Sequence, residues 1–143
     1  MYYTKDYLEV LKHPFIKNLD ICGPAFVTRI LVHKIEEALA GSRKTPLSGS
    51  IFVALAQIEH ERFLFDTCMQ TAKSMDLEVS LGELTQGLAL LHRVLFASWE
   101  TLVTLHEFSL VLQELLGVLV DNSFLASYPL NVAMAQELFK VQE

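Results

Sequence analysis

From Ser80 to Val120 the chain reads SLGELTQGLALLHRVLFASWETLVTLHEFSLVLQELLGVLV, a stretch whose apolar pattern hardly pauses. Ser80-Leu81-Gly82-Glu83 opens it as a capping box, with the hydroxyl of Ser80 placed to meet the backbone of Glu83 and the Glu83 carboxylate placed to reach back. Val79 and Leu84 supply the hydrophobic staple around that start. As one helix, Leu81 to Val120 would extend ~60 Å, longer than a domain of this size covers. A break is therefore expected, and either Ser98 or Thr104 can cap a new helix; Thr104-Leu105-His106-Glu107 is a second possible box. Between Leu102 and Val120 the strong polar groups are His106, Glu107, Gln113 and Glu114. The length would suit a bilayer span, but two carboxylates in its middle would be costly there. The expectation is a charge-poor central helix buried on nearly all sides.

Working outward, Asp121-Asn122-Ser123 interrupts this helix, and Pro129 or Asn131 starts a last amphipathic one with Leu130, Met134, Leu138 and Val141 on one face. Upstream, Ser50 begins a helix predicted to run to about Met75, its seam being Ile51, Leu55, Ile58, Arg62, Phe65, Met69 and Ala72. Arg62 lies on that seam with Glu59 and Asp66 within helical reach. It is either an arginine paired locally on its own helix or a charge that faces a partner. Gly41 to Gly49 is a basic loop rich in breakers. Before it, Pro24 opens an amphipathic helix over Ala25–Ala40, with Val27, Ile30, Leu31, Ile35, Ala38 and Leu39 on its apolar face. Thr4 caps a first helix over residues 5–19, which Pro14 kinks or splits. Nothing argues for strands. The predicted fold is all-α, a single helical-bundle domain over residues 1–143.

Composition agrees. Of 143 residues, 52% are apolar and 20% charged, and the net charge is −6. Intrinsic disorder and a disulfide scaffold are excluded, the latter because Cys22 and Cys68 are the only cysteines. Residues 1–75 hold nine Lys/Arg and eight Asp/Glu, a net of +1; residues 76–143 hold two and nine, a net of −7. That balance argues against nucleic acid as a partner. The opening Met1 to Asp6 does not read as a signal peptide, so reduced thiols in the cytoplasm are expected.

Catalytic and metal chemistry find no foothold. No Gly-rich phosphate loop ends in Lys-Ser/Thr. His60 has Glu59 and Glu61 beside it, but Leu64 stands where a zinc helix needs its second histidine. No glutamate stands three residues before any histidine, so a di-iron carboxylate bundle fails. The expectation is no enzyme activity, no cofactor and no metal.

One family resemblance then emerges. Ser98 to Phe108 resembles the Asn-Trp-Gly-Arg signature and buried-helix start of Bcl-2-family apoptosis regulators, matching at Trp99, Leu102, Val103, Glu107 and Phe108. Leu55 to Glu61 is similar to that family's Leu-x-x-x-Gly-Asp-Glu segment in its Leu and final Glu, and Leu119 to Asn122 looks like the start of its next helix. The resemblance covers about residues 50–125. Glu100 and Thr101 stand where the family has Gly-Arg, and Glu59-His60 replaces Gly-Asp; such divergence looks viral. The resemblance implies a Bcl-2-like bundle whose surface groove takes the amphipathic helix of a pro-apoptotic protein, inhibiting death in the host-cell cytosol and reaching mitochondria through its partners. The groove residues would be Leu55, Ile58, Arg62, Phe63, Met69, Leu88, Leu91, Arg93, Trp99, Thr101 and Leu102, with Phe108 beside them. Because Thr101 replaces the arginine that meets the ligand's aspartate, either another cation does so or that carboxylate stays in water and the remaining arginines are solvated surface groups. Arg93 is favoured over Arg62, since no acidic residue lies three or four positions from it. The alternative is a structural subunit, a homodimer or larger, that covers its excess apolar surface with a copy of itself. A peripheral membrane role is disfavoured by the acidic second half.

Overall fold

The computed structural model of the chain describes residues 1–40, 49 and 51–122. Among these, seven α-helices, one 3-10 turn and a two-stranded ladder are present. The chain divides into two compact units, the first Met1–Ala89 and the second beginning at Leu90.

In the first unit, β1 (Tyr2–Tyr3) pairs antiparallel with β2 (Phe52–Val53), Tyr2 opposite Val53. These strands correct the expectation of none. They exist because residues 51–54 are extended instead of helical, and the Thr4 N–H donates to the Ile51 carbonyl at 2.8 Å. α1 (Thr4–Leu11) follows directly. Thr4 is its first residue and not its cap, and its backbone is occupied by that ladder-end bond. Pro14 splits the segment as expected and opens α2 (Pro14–Lys17), with His13 Nδ1 accepting from the Phe15 N–H at 3.2 Å. Gly23 at φ +113° makes a turn that an L side chain would resist. α3 (Ala25–Ala40) then runs over the predicted span, burying Val27, Ile30, Leu31, Ile35, Ala38 and Leu39.

The helix expected from Ser50 to Met75 is two helices. α4 (Leu55–Glu59) begins where the Ala54 N–H donates to Gln57 Oε1 at 3.1 Å. It ends at His60, whose Nδ1 lies 2.6 Å from the Ala56 carbonyl and must be the donor, since that oxygen can only accept. A side chain that bonds its own preceding turn competes with helix continuation. α5 (Arg62–Ser74) restarts with a new phase: Leu64, Phe65, Cys68 and Ala72 are buried, while Ile51 and Arg62 are exposed and Leu55 and Met69 half-buried. The break resets the helical angle, and so the predicted seam does not survive it. α5 closes at Asp76, φ +59°, with the Leu77 N–H returning to the Ala72 carbonyl at 2.9 Å. α3 packs chiefly on α5, and α1 and α2 both rest on α3.

α6 (Leu81–Leu95) starts at the predicted cap: Ser80 Oγ accepts the Glu83 N–H at 3.1 Å, and the Glu83 carboxylate reaches back to the hydroxyl instead of the backbone, Ser80 Oγ donating to Glu83 Oε1 at 3.3 Å. Losing such a cap costs ~0.5–2 kcal/mol. Ser80→Ala and Glu83→Ala should each lower the urea midpoint accordingly; an unchanged midpoint in both would mean the helix is held from elsewhere.

The second unit holds the end of α6, a 3-10 turn (Ala97–Trp99) and α7 (Leu105–Asp121). Of the two predicted breaks, Thr104 caps the new helix. Its Oγ1 accepts the Glu107 N–H at 3.1 Å, and Glu107 Oε2 accepts the Val103 and Thr104 N–H groups at 2.8 and 3.3 Å. Those two bonds hold the Glu107 carboxyl below the usual carboxylate range. The expected buried central helix is corrected here, for no residue of α7 is buried. Enclosing a helix on all sides takes a full ring of neighbours. Among the described residues of this unit, only one helix end and a short turn are available. Among the described residues, no helix is long and apolar enough to cross a membrane. The predicted 41–49 loop, Gly49 apart, and the last helix after Pro129 lie outside the described residues.

Candidate functional site

The residues expected to line a groove separate by unit and by burial. In the first unit, Ile58 and Leu88 are fully buried and belong to the core. They cannot present a surface to a ligand without the core opening. Leu55 and Met69 are half-buried. Arg62 is exposed, its Nε 4.0 Å from Asp66 Oδ2, the local pairing that its i,i+4 spacing allows. Phe63 is 47% exposed and borders a crevice with Lys34, Glu37, Ala38, Glu61 and Thr67. Off the buried face of α5, it is a large aromatic that the first unit leaves half exposed.

In the second unit, Leu91 is buried with Val94 and His92, and the His92 ring meets Phe96 edge-on at 6.4 Å. Leu91 is therefore core and not groove. Arg93, expected to stand without an acidic neighbour, is paired: its Nη2 lies 2.5 Å from Glu114 Oε1. Glu114 comes from α7, 21 residues along the chain and far outside the i±4 positions of the Arg93 helix. The pair is exposed, worth about 0–1 kcal/mol, and a ligand carboxylate would have to displace Glu114 to use Arg93. Thr101 is exposed and Leu102 half-buried. Trp99 is half-buried and doubly held, since its Nε1 donates to the Val94 carbonyl at 2.8 Å and its ring takes Phe108 edge-to-face at 5.5 Å. Such a ring pair is worth about 0.5–1.5 kcal/mol beyond area burial.

Beside this anchored tryptophan lies the feature that the sequence reading missed. Val103 is 87% exposed, Leu105 84% and Phe108 43%. Leu105 and Phe108 stand three apart on α7 and share a face, and Val103 lies two residues before the helix begins. The charge-poor helix carries a signal that fits burial and exposure alike, because an apolar run says only that water is unfavourable, not what replaces it.

Both cysteines are buried and unbonded. Burial pushes the Cys22 thiol up to about 11 and Cys68 to about 12, with the hydrogen bond to Thr28 opposing the shift at Cys22. Thiolate is the reactive form, so neither serves as a nucleophile near neutral pH. Iodoacetamide should label the native protein only as fast as it unfolds. A raised folded-state value means stability intact below the ordinary thiol value and lost as pH rises towards 11–12. Rapid labelling of either thiol in the folded protein at neutral pH would contradict this. Compared with family models, with curated proteins and with solved structures, the chain matches none.

Proposed function

We propose that the protein is a non-catalytic binding module that holds the amphipathic helix of a pro-apoptotic Bcl-2-family protein on the apolar surface of its second unit. In this reading it inhibits cell death, acting in the cytosol of a host cell. The observation that carries it is the exposure of Val103, Leu105 and Phe108 around the start of α7, with Phe108 set against a fixed Trp99. Three of these four, Trp99, Val103 and Phe108, are residues through which the sequence resembles the Bcl-2 family. An amphipathic ligand helix offers an i, i+3/i+4, i+7 stripe, and burying a Leu or Phe side chain contributes ~1.5–3 kcal/mol. With Arg93 engaged by Glu114, recognition rests on hydrophobic fit.

A second reading has its own support. Monomeric soluble proteins seldom leave a large apolar patch open, and this patch can be covered by the same patch of a second copy. A panel of pro-apoptotic helix peptides, titrated calorimetrically with the mass followed by light scattering, separates the two. A monomer that forms one-to-one complexes supports the death-ligand reading. A dimer indifferent to every peptide supports a self-associating structural subunit and overturns the first.

A further inference from the structure

The first unit carries a hollow of about 170 Å³ lined by Lys12, Lys17, Arg29, Val32, His33 and Glu36. Its charge is lopsided. Lys12 Nζ lies 3.1 Å from Glu36 Oε1, and His33 Nε2 lies 2.7 Å from Glu37 Oε1. Among the described residues, no carboxylate comes within ion-pair distance of Lys17 or Arg29. Two cations therefore line one concave surface with their charge uncompensated.

Arg29 is also aimed. Its Nη1 donates to Asn18 Oδ1 at 3.1 Å, and Asn18 Nδ2 in turn donates to the Pro14 carbonyl at 2.8 Å. The guanidinium sits 4.9 Å above the centre of the Phe26 ring. A relay of this kind fixes the plane of the fork while leaving its other N–H groups to be used. A surface arginine with no task would gain little from being so restrained, and ordering it in advance lowers the entropy that a ligand must overcome. Asn18 caps the end of α2, the helix that supplies Lys17, so the residue that holds Arg29 is the chain neighbour of the second cation.

We propose that this hollow binds a phosphate group, either of a free phosphate monoester or of a phosphorylated lipid headgroup. A phosphate oxygen pair matches the parallel N–H groups of a guanidinium, and the Lys17 ammonium adds a point charge. Val32 contributes an apolar side to the hollow. Phe15 and Phe26, both exposed, belong to the same segments as Lys17 and Arg29. They would enter the interfacial layer if the phosphate is carried by a lipid. The site lies wholly in the first unit and does not depend on the apolar surface of the second.

The test has two arms on the full chain. In one, ¹⁵N-labelled protein is titrated with inorganic phosphate; in the other, the protein is sedimented with phosphatidylcholine vesicles with and without phosphatidic acid. Amide shifts concentrated at Lys17, Arg29 and His33 are expected in the first arm if the source is free phosphate. Sedimentation that needs phosphatidic acid identifies the headgroup. The Lys17→Gln/Arg29→Gln variant should bind at least about ten-fold more weakly. An Arg62→Gln/Lys73→Gln variant removes the same charge from α5 and should change binding less than about two-fold, as screened charges outside the site do. Binding in neither arm overturns the proposal. So does an equal loss in both variants, which would mean attraction by overall charge, and so do shifts spread over every surface cation. Should the Lys17/Arg29 variant fail to fold, the shift map of the unaltered protein decides alone.

Discussion

Gly87→Ala is expected to destabilise the protein by about 1–3 kcal/mol, opposite in sign to the usual gain from replacing a helix-interior glycine. Gly87 is buried on α6, and a Cβ there would collide with Cys22 Sγ. The same Cβ would lie 3.2 Å from the Ile21 carbonyl oxygen and 3.4 Å from the Cys22 Cα. Two of those three neighbours are backbone and cannot swing aside, so the helix or the turn before α3 must move. Propensity would return ~1 kcal/mol, less than overpacking takes from a fixed contact. Urea unfolding followed by circular dichroism measures the net. Cys22→Ala opens space at the sulfur, so the double variant should be more stable than the two single changes predict by addition. A raised midpoint for Gly87→Ala alone would show that α6 does not approach Ile21 and Cys22 this closely.

That contact also marks what a sequence can and cannot carry. Local signals with a stereochemical mechanism translated directly into structure: the Ser80/Glu83 cap, the Thr104/Glu107 box, Pro14 as a breaker and the span Ala25–Ala40. Each depends on residues within one turn of one another. Several failures involve a partner outside that window, and one comes from a local side-chain bond that apolar periodicity does not register. Nothing near Arg93 announces Glu114, which arrives from another helix. The seam from Ile51 to Ala72 was one continuous stripe on paper, yet a single turn-bonding histidine at position 60 resets it and turns Arg62 outward. Ile58, Leu88 and Leu91 had the right character for a groove and went into the core, because apolar periodicity specifies a face but not what faces it. The same ambiguity, resolved the other way, left Leu105 and Phe108 in water. Among the candidate site residues, Trp99 and Phe63 kept surface and aromatic character together, as a docking role requires.

Leu105→Glu should weaken binding of a pro-apoptotic helix by about 100-fold, close to 2.7 kcal/mol, while moving the urea midpoint by less than about 0.5 kcal/mol. The asymmetry follows from position. Leu105 is the first residue of α7 and is 84% exposed, so the folded protein loses almost no packing when it changes. A carboxylate there meets the positive end of the helix dipole, which offsets repulsion from Glu107. A ligand helix seated on the patch, however, would bury that carboxylate against its own apolar stripe with no cation in reach, a cost of several kcal/mol. Phe108→Ala is the informative companion, since it removes apolar area from the same face and also frees the Trp99 ring. It should reduce affinity and stability together, whereas Leu105→Glu separates them. Under the self-association reading, Leu105→Glu converts a dimer to a monomer with no peptide present. Full affinity for the peptides and an unchanged mass in the Leu105→Glu protein would remove this surface from both readings, and would leave Phe63, the exposed aromatic among the groove residues expected on the first unit, to be tested next.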